Sequence, residues 1–125
     1  MTAETVGSDV PRVSVCVPAY RAERFLAATI ESVLDQTYAD WELIVLDNAS
    51  PDRTGEIARS YDDPRIRVLS NRDTLPLADN WNAVAAQATA PYLKLLCADD
   101  LIGPDCLASE VAVLDREPDV VMVAS

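Results

Sequence analysis

The sequence has no histidine. That absence excludes Ser-His-Asp and Cys-His nucleophile systems, HExxH zinc sites and imidazole proton shuttles. Glycine is scarce: Gly7, Gly55 and Gly103 are the only three in 125 residues. No GxGxxG or GxxxxGK[ST] phosphate loop can be written with them. The three cysteines, Cys16, Cys97 and Cys106, are odd in number and form no CxxC pair, which fits a reducing compartment better than a disulfide framework. Cys16 and Cys97 sit in apolar runs and are expected as buried free thiols. No apolar run reaches the ~18 residues of a membrane span. Residues Met1 to Val15 carry Glu4 and Asp9 and lack a basic-then-apolar leader. Basic residues are also few, 10 against 21 acidic ones, for a net charge of −11. That balance repels nucleic acid and anionic lipid, so no nucleic-acid partner is expected.

What is present is a chain of 125 residues, 50% hydrophobic and 25% charged. Those figures suit one globular domain rather than a disordered segment. Residues 1–11 read as a flexible N-terminal arm and 12–125 as the domain. Val13-Ser14-Val15-Cys16-Val17 predicts a buried strand stopped by Pro18. A helix over 23–36 follows, with Leu26, Ile30, Val33 and Leu34 on one face. Leu43–Leu46 predicts a second strand, and Ser50 reads as an N-cap with Pro51 at the first helical position. Ile66–Leu69 is a third strand. Leu77, Trp81, Val84 and Ala88 share one helical face, with Trp81 in the core and Asn80 and Asn82 beside it. Tyr92–Cys97 is a fourth strand, Pro104 opens a helix carrying Leu107, Val111 and Leu114, and Val120–Val123 is a fifth strand.

Strands and helices alternate, and the strands are continuous apolar runs. This pattern implies an α/β fold: a mainly parallel sheet buried on both faces and flanked by helices. The chain's last residues read as an unclosed sheet edge, open to pairing with a second copy as a homodimer.

In such sheets ligands bind beyond the carboxyl ends of the strands. Those ends carry Pro18-Ala19-Tyr20-Arg21, Asp47-Asn48, Ser70-Asn71-Arg72 and Ala98-Asp99-Asp100. Asp99 and Asp100 repel each other, which suits either a divalent cation with oxygen ligands or a solvated turn before the Pro104 helix. Asp47 and Asn48 suit a loop leading into a helix, or acceptors for a nucleobase N–H. Arg72 is a surface arginine or a bidentate donor to a pyrophosphate. Tyr20 stacks on a base or covers its own loop.

Four ordered motifs resemble the family-2 glycosyltransferases of GT-A fold. They are Val13–Tyr20, Thr29–Tyr38, Trp41–Thr54 and Pro91–Asp100, within a similarity running from about residue 12 to 123. The resemblance implies a Rossmann-like GT-A nucleotide-binding half. It also implies transfer of a sugar from a nucleotide-diphospho-sugar to an acceptor hydroxyl with Mg²⁺ or Mn²⁺. On it, Pro18, Ala19, Tyr20, Asp47, Asn48, Arg72 and Asp99 are expected to bind the nucleotide sugar, and Asp99 and Asp100 the metal. Two positions depart from the family pattern: Asn48 replaces the second of two acids, and Cys97 replaces the first Asp of the Asp-x-Asp. The catalytic base and the acceptor-binding part are expected beyond Ser125, so the fragment alone is expected to be inactive. The expected location is cytoplasmic, at the inner membrane face where the missing part or the acceptor takes it there. The alternative is a non-catalytic nucleotide-binding or interaction module of the same fold. A phosphoacceptor receiver domain fails for want of an acidic pair after the first strand. A nucleotidyltransferase fails for want of a Gly-rich loop there.

Overall fold

The structure, a computed structural model, describes residues 10–117. Strand β1 spans Val13–Ala19, helix α1 Leu26–Leu34, β2 Trp41–Asp47, α2 Thr54–Arg59, β3 Ile66–Ser70, α3 Leu77–Ala85, β4 Tyr92–Leu95 and α4 Cys106–Arg116. The four strands form one sheet in the order β3-β2-β1-β4. Every pairing is parallel. The strand expected at Val120–Val123 and most of the expected N-terminal arm lie outside the described residues.

The period of two along a strand sorts the core into two layers. Val13, Val15, Val17, Leu43 and Val45 point to one face, where they pack with Leu26, Ile30 and Val33 of α1, Ala58 of α2 and Leu107 and Val111 of α4. Cys16, Ile44 and Leu46 point to the other face, against Val84 of α3. The sheet is therefore sandwiched between helices, and its two central strands are buried on both sides, as their apolar runs predict.

The outer strands differ from that expectation. β3 is only half-buried up to its exposed last residue, Ser70, and β4 alternates, with Leu93 and Leu95 exposed. They are the edges of the sheet, and the helices centre on β1 and β2. Cys97, expected to be buried, is half-exposed for the same reason, while Cys16 is fully buried.

Three helix details are corrected. Helix α1 begins at Leu26, after a turn in which the Phe25 N–H donates to Ala22 O at 3.0 Å. Helix α2 begins at Thr54, so Ser50 and Pro51 precede it. Asp52 supplies the local bonds there, accepting from Thr54 N at 3.0 Å and Thr54 Oγ1 at 2.5 Å. Helix α4 begins at Cys106, two positions after Pro104; Gln36 serves its start, accepting from Leu107 N at 2.9 Å and donating to Gly103 O at 2.6 Å. On α3 the buried positions are Asn80 and Val84, whereas Trp81 is half-buried and Leu77 is 72% exposed.

Candidate functional site

Because all four strands run in one direction, their carboxyl ends share one rim. The register Ala19↔Asp47↔Ser70 aligns β1, β2 and β3, and Leu96 N donates to Cys16 O at 2.9 Å, carrying β4 upward beside β1. Pro18 and Ala19 close β1 as buried residues, and Tyr20, just beyond, is 43% exposed. Arg21 lies over the Tyr20 ring, its guanidinium carbon 5.5 Å from the centroid, and its Nε donates to the Tyr20 hydroxyl at 3.2 Å.

The loops after β1 and β2 are stitched together. Arg21 N donates to Ser50 Oγ at 3.0 Å, Ala22 N to Thr54 Oγ1 at 2.8 Å and Arg53 N to Glu23 Oε1 at 2.9 Å. Arg21 and Ala49 both have left-handed backbones, with φ of 52° and 55°, a conformation that costs a non-glycine residue roughly 1–2 kcal/mol. The stitching holds that strain at the rim. Asp47 is 6% exposed, and its Oδ1 accepts from Ser50 N at 3.1 Å.

Asn48 is 3% exposed and turns toward the loop after β3. Its Oδ1 accepts from Asn71 Nδ2 and from Leu75 N, each at 2.8 Å, and its Nδ2 donates to Leu75 O at 2.9 Å. Arg72, within that loop, is exposed.

Beyond β4 the chain turns, with Asp100 N donating to Cys97 O at 3.0 Å. The Thr29 hydroxyl of α1 lies 2.9 Å from Ala98 O and 2.8 Å from Asp100 O, tying this turn to the helix layer. Asp99 and Asp100 are exposed and Cys97 half-exposed, and one ligand atom from each of the three lies within 4.8 Å of the others. Burial, then the charges of Asp100 and Asp99 and a hydrogen bond to Asp100, push the Cys97 thiol above its usual range. The donor set fits a divalent cation: two hard carboxylates and one sulfur converge with an open side toward solvent.

The rim thus gathers Tyr20, Asp47 and Asn48 at its centre, Arg72 at the β3 end and Asp99 with Asp100 at the β4 end. Three strand spacings separate those ends, roughly 14 Å. Sequence reasoning missed the Asn71–Asn80 contact, in which Asn71 Nδ2 donates to Asn80 Oδ1 at 2.7 Å. It also missed the role of Thr29. The available signal was a polar residue in an apolar helical stretch: Asn80 beside Trp81, and Thr29 beside Ile30. Among the described residues no helix is long and apolar enough to cross a membrane.

Comparison with known proteins gives the same outline. The family model for glycosyl transferase family 2 matches residues 14–125. The putative glycosyltransferase EpsE of Bacillus subtilis is 40% identical over 109 residues, which cover 85% of this chain and 39% of that protein. The UDP-Glc:alpha-D-GlcNAc-diphosphoundecaprenol beta-1,3-glucosyltransferase WfgD of Escherichia coli is 34% identical over 102 residues, 82% of this chain and 40% of WfgD. The chain therefore spans about two fifths of the length of these relatives. Among solved structures, S. aureus TarS 1–349 in complex with UDP superposes with a TM-score of 0.78 at 23% identity, over 86% of this chain and 33% of that one. The mannosyltransferase PcManGT from Pyrobaculum calidifontis, in complex with GDP-Man and Mn²⁺, gives 0.76 at 27% identity, over 84% and 32%. The parallel sheet and its flanking helices match the Rossmann-like GT-A architecture of these glycosyltransferases.

Proposed function

Because the chain belongs to glycosyl transferase family 2, we propose that it forms the donor-binding half of an enzyme that moves a sugar from a nucleoside-diphosphate sugar to an acceptor hydroxyl. The observation that carries this reading is the joint rim: Asp47 at the end of β2 and the Cys97–Asp99–Asp100 cluster beyond β4 leave the same edge of an all-parallel sheet. Exposed Tyr20 forms the wall for the base, with Asp47 beside it, and the buried Pro18 and Ala19 fix where that loop leaves the sheet. Arg72 offsets phosphate charge from the β3 end. Asp99 and Asp100, with Cys97, are the residues that would hold Mg²⁺ or Mn²⁺. Such an ion, when bound, supplies positive charge where the departing nucleoside diphosphate gains negative charge.

In the transfer the acceptor oxygen bonds to the anomeric carbon, the bond from that carbon to the donor phosphate oxygen breaks, and the acceptor proton goes to a base. The chain has no histidine, and we place the base and the acceptor site in sequence outside these residues, so that this chain alone binds donor without transferring it. The name of WfgD specifies a UDP-glucose donor and a diphosphoundecaprenol-linked acceptor. On that pattern we place the reaction in the cytoplasm, with a lipid-linked acceptor at the inner membrane face.

Calorimetric titration with UDP and GDP, with and without Mn²⁺, tests the reading. Mn²⁺-dependent binding of one of them, lost in Asp99→Ala, is the expected result. Failure of both nucleotides to bind in the presence of Mn²⁺ would overturn it.

A further inference from the structure

The side chain of Asn48 makes two hydrogen bonds to a single residue, Leu75: Oδ1 accepts from Leu75 N at 2.8 Å and Nδ2 donates to Leu75 O at 2.9 Å. An amide thus pairs with a peptide unit as one rung of a sheet would. The pairing fixes its own chemistry, because the oxygen must face the Leu75 N–H and the nitrogen the Leu75 carbonyl. The second lone pair of Oδ1 takes Asn71 Nδ2 at 2.8 Å, and the other hydrogen on that nitrogen goes to Asn80 Oδ1 at 2.7 Å. Asn71 N also donates to Asp47 O at 2.9 Å. Asn48 and Asn80 are 3% and 2% exposed and Asn71 between them is half-buried, so the two end amides are withdrawn from water and the bonds they make are expensive to leave unmade.

The consequence lies in what the amides enclose. Asn48 pins both ends of the segment from Asn71 to Leu75, and between the pins stand Arg72, Asp73 and Thr74, all exposed. Among the described residues the Arg72 guanidinium makes no ion pair or hydrogen bond. Without the pins, a donor would have to order the segment before Arg72 could reach it. An aspartate at 48 could accept as Asn48 does but could not donate to Leu75 O, and its charge would be buried against that carbonyl.

We propose that Asn48 is a positioning residue that acts through Arg72: it holds the Asn71–Leu75 segment so that the guanidinium is pre-placed for the diphosphate of the nucleotide donor, and it does not itself read the base. The proposal rests on the donor-binding reading above and adds to it the route by which the residue after Asp47 contributes.

The test is a double-mutant cycle read by Mn²⁺-supported UDP and GDP binding, with uridine and guanosine as arms lacking phosphate. Asn48→Ala and Arg72→Ala are each expected to weaken the diphosphate about tenfold or more, the size of one charge-assisted hydrogen bond. The double variant is expected to lose no more than either single one, and nucleoside binding is expected to stay unchanged. Asn48→Asp is expected to behave as Asn48→Ala. A paired substitution, Asp73→Gly with Thr74→Gly, loosens the same segment from outside and leaves the buried amides in place. It covers the case of an unfolded Asn48 variant and is expected to show the same phosphate-dependent loss. Additive losses, or a loss seen equally with the nucleosides, would overturn the proposal while the donor reading stood. Absence of nucleotide binding by the unaltered chain would bring down both.

Discussion

The Asp47 carboxylate occupies the space that a side chain at residue 55 would need: a Cβ built on Gly55 would stand 2.6 Å from Asp47 Oδ2. The same Cβ would meet Arg59 Nη1 at 2.8 Å, but a long arginine swings away at little cost. Asp47 cannot, because it is 6% exposed and its Oδ1 is held by Ser50 N. Gly55 lies inside α2, where alanine would ordinarily gain ~1 kcal/mol in helix propensity. Overpacking of ~1–3 kcal/mol opposes that gain. Gly55→Ala is therefore expected to lower stability in urea denaturation and to weaken UDP or GDP binding. A variant at least as stable as the parent, with unchanged binding, would show that Asp47 has room to move.

At the opposite end of the sheet, Glu42 gathers three donors on one oxygen. Its Oε2 accepts from Ser14 Oγ at 2.5 Å, Thr89 N at 3.0 Å and Thr89 Oγ1 at 2.8 Å. Burial works against ionisation, but the bonds from Ser14 and Thr89 and the charge of Arg67 outweigh it and hold the carboxyl below its ordinary 4.5. The folded value lies below the unfolded one, so this stabilisation is complete above the unfolded pKa and is lost as pH falls through the folded value. Glu42→Ala is expected to cost about 2 kcal/mol at neutral pH. Glu42→Gln should shrink the loss of stability between neutral and acid pH. Urea melts over that range read both, and an acid limb of unchanged steepness in Glu42→Gln would exclude the role.

The central sheet was legible in the sequence because Leu43–Leu46 is apolar throughout and Val13–Val17 is interrupted only by Ser14, the pattern of a parallel strand covered on both faces. The rim residues were legible because a parallel sheet puts every strand's carboxyl end on one side. The edges were not, because Leu93 and Leu95 read as core by composition and only the strand order exposes them. The face of α3 was misread for a related reason. Periodicity counts Trp81 as apolar and Asn80 as polar, yet Asn80 is buried because Asn71 satisfies its oxygen, and no local pattern announces a partner on another element. Ser50 matched a capping signature, but Arg21 N takes its hydroxyl and Asp52 serves the helix. The distribution of short polar side chains among competing backbone donors is a tertiary outcome.

The Cys16 thiol of β1, fully buried against Ile44 and Leu46 of β2 and Val84 of α3, is pushed up to about 11, by burial first and then by Glu42, with Arg67 opposing. Its ordinary value is 9.0. Between those two values the unfolded chain gives up the thiol proton and the folded chain keeps it, so stability falls as pH rises through that window. Tyr61, pushed up to about 12 by burial and by Glu31, acts in the same direction at higher pH. Cys16→Ala is expected to cost ~1 kcal/mol at neutral pH through the volume it removes and to flatten the decline between pH 9 and 11. In the unaltered protein, Cys16 should react with a thiol reagent only as fast as the chain unfolds. Rapid labelling under native conditions would contradict its burial.

The cluster beyond β4 calls for a test in which the metal itself is the readout. Cys97, Asp99 and Asp100 present ligand atoms within 4.8 Å of one another, two hard oxygens and one soft sulfur. Mg²⁺ and Mn²⁺ prefer oxygen, and a sulfur in the set tilts it toward softer ions. Replacing the thiol by a carboxylate should therefore tighten Mn²⁺ binding, and Cys97→Asp is expected to raise its affinity, while Asp99→Asn lowers it about tenfold or more through the loss of one charged ligand. The magnetic resonance signal of free Mn²⁺ measures both without any turnover, and a chelator should release the ion and, with it, the nucleotide. Unchanged affinity in Cys97→Asp alongside a loss in Asp99→Asn would remove the thiol from the ligand set. Unchanged affinity in both would mean that the two aspartates form only a solvated turn.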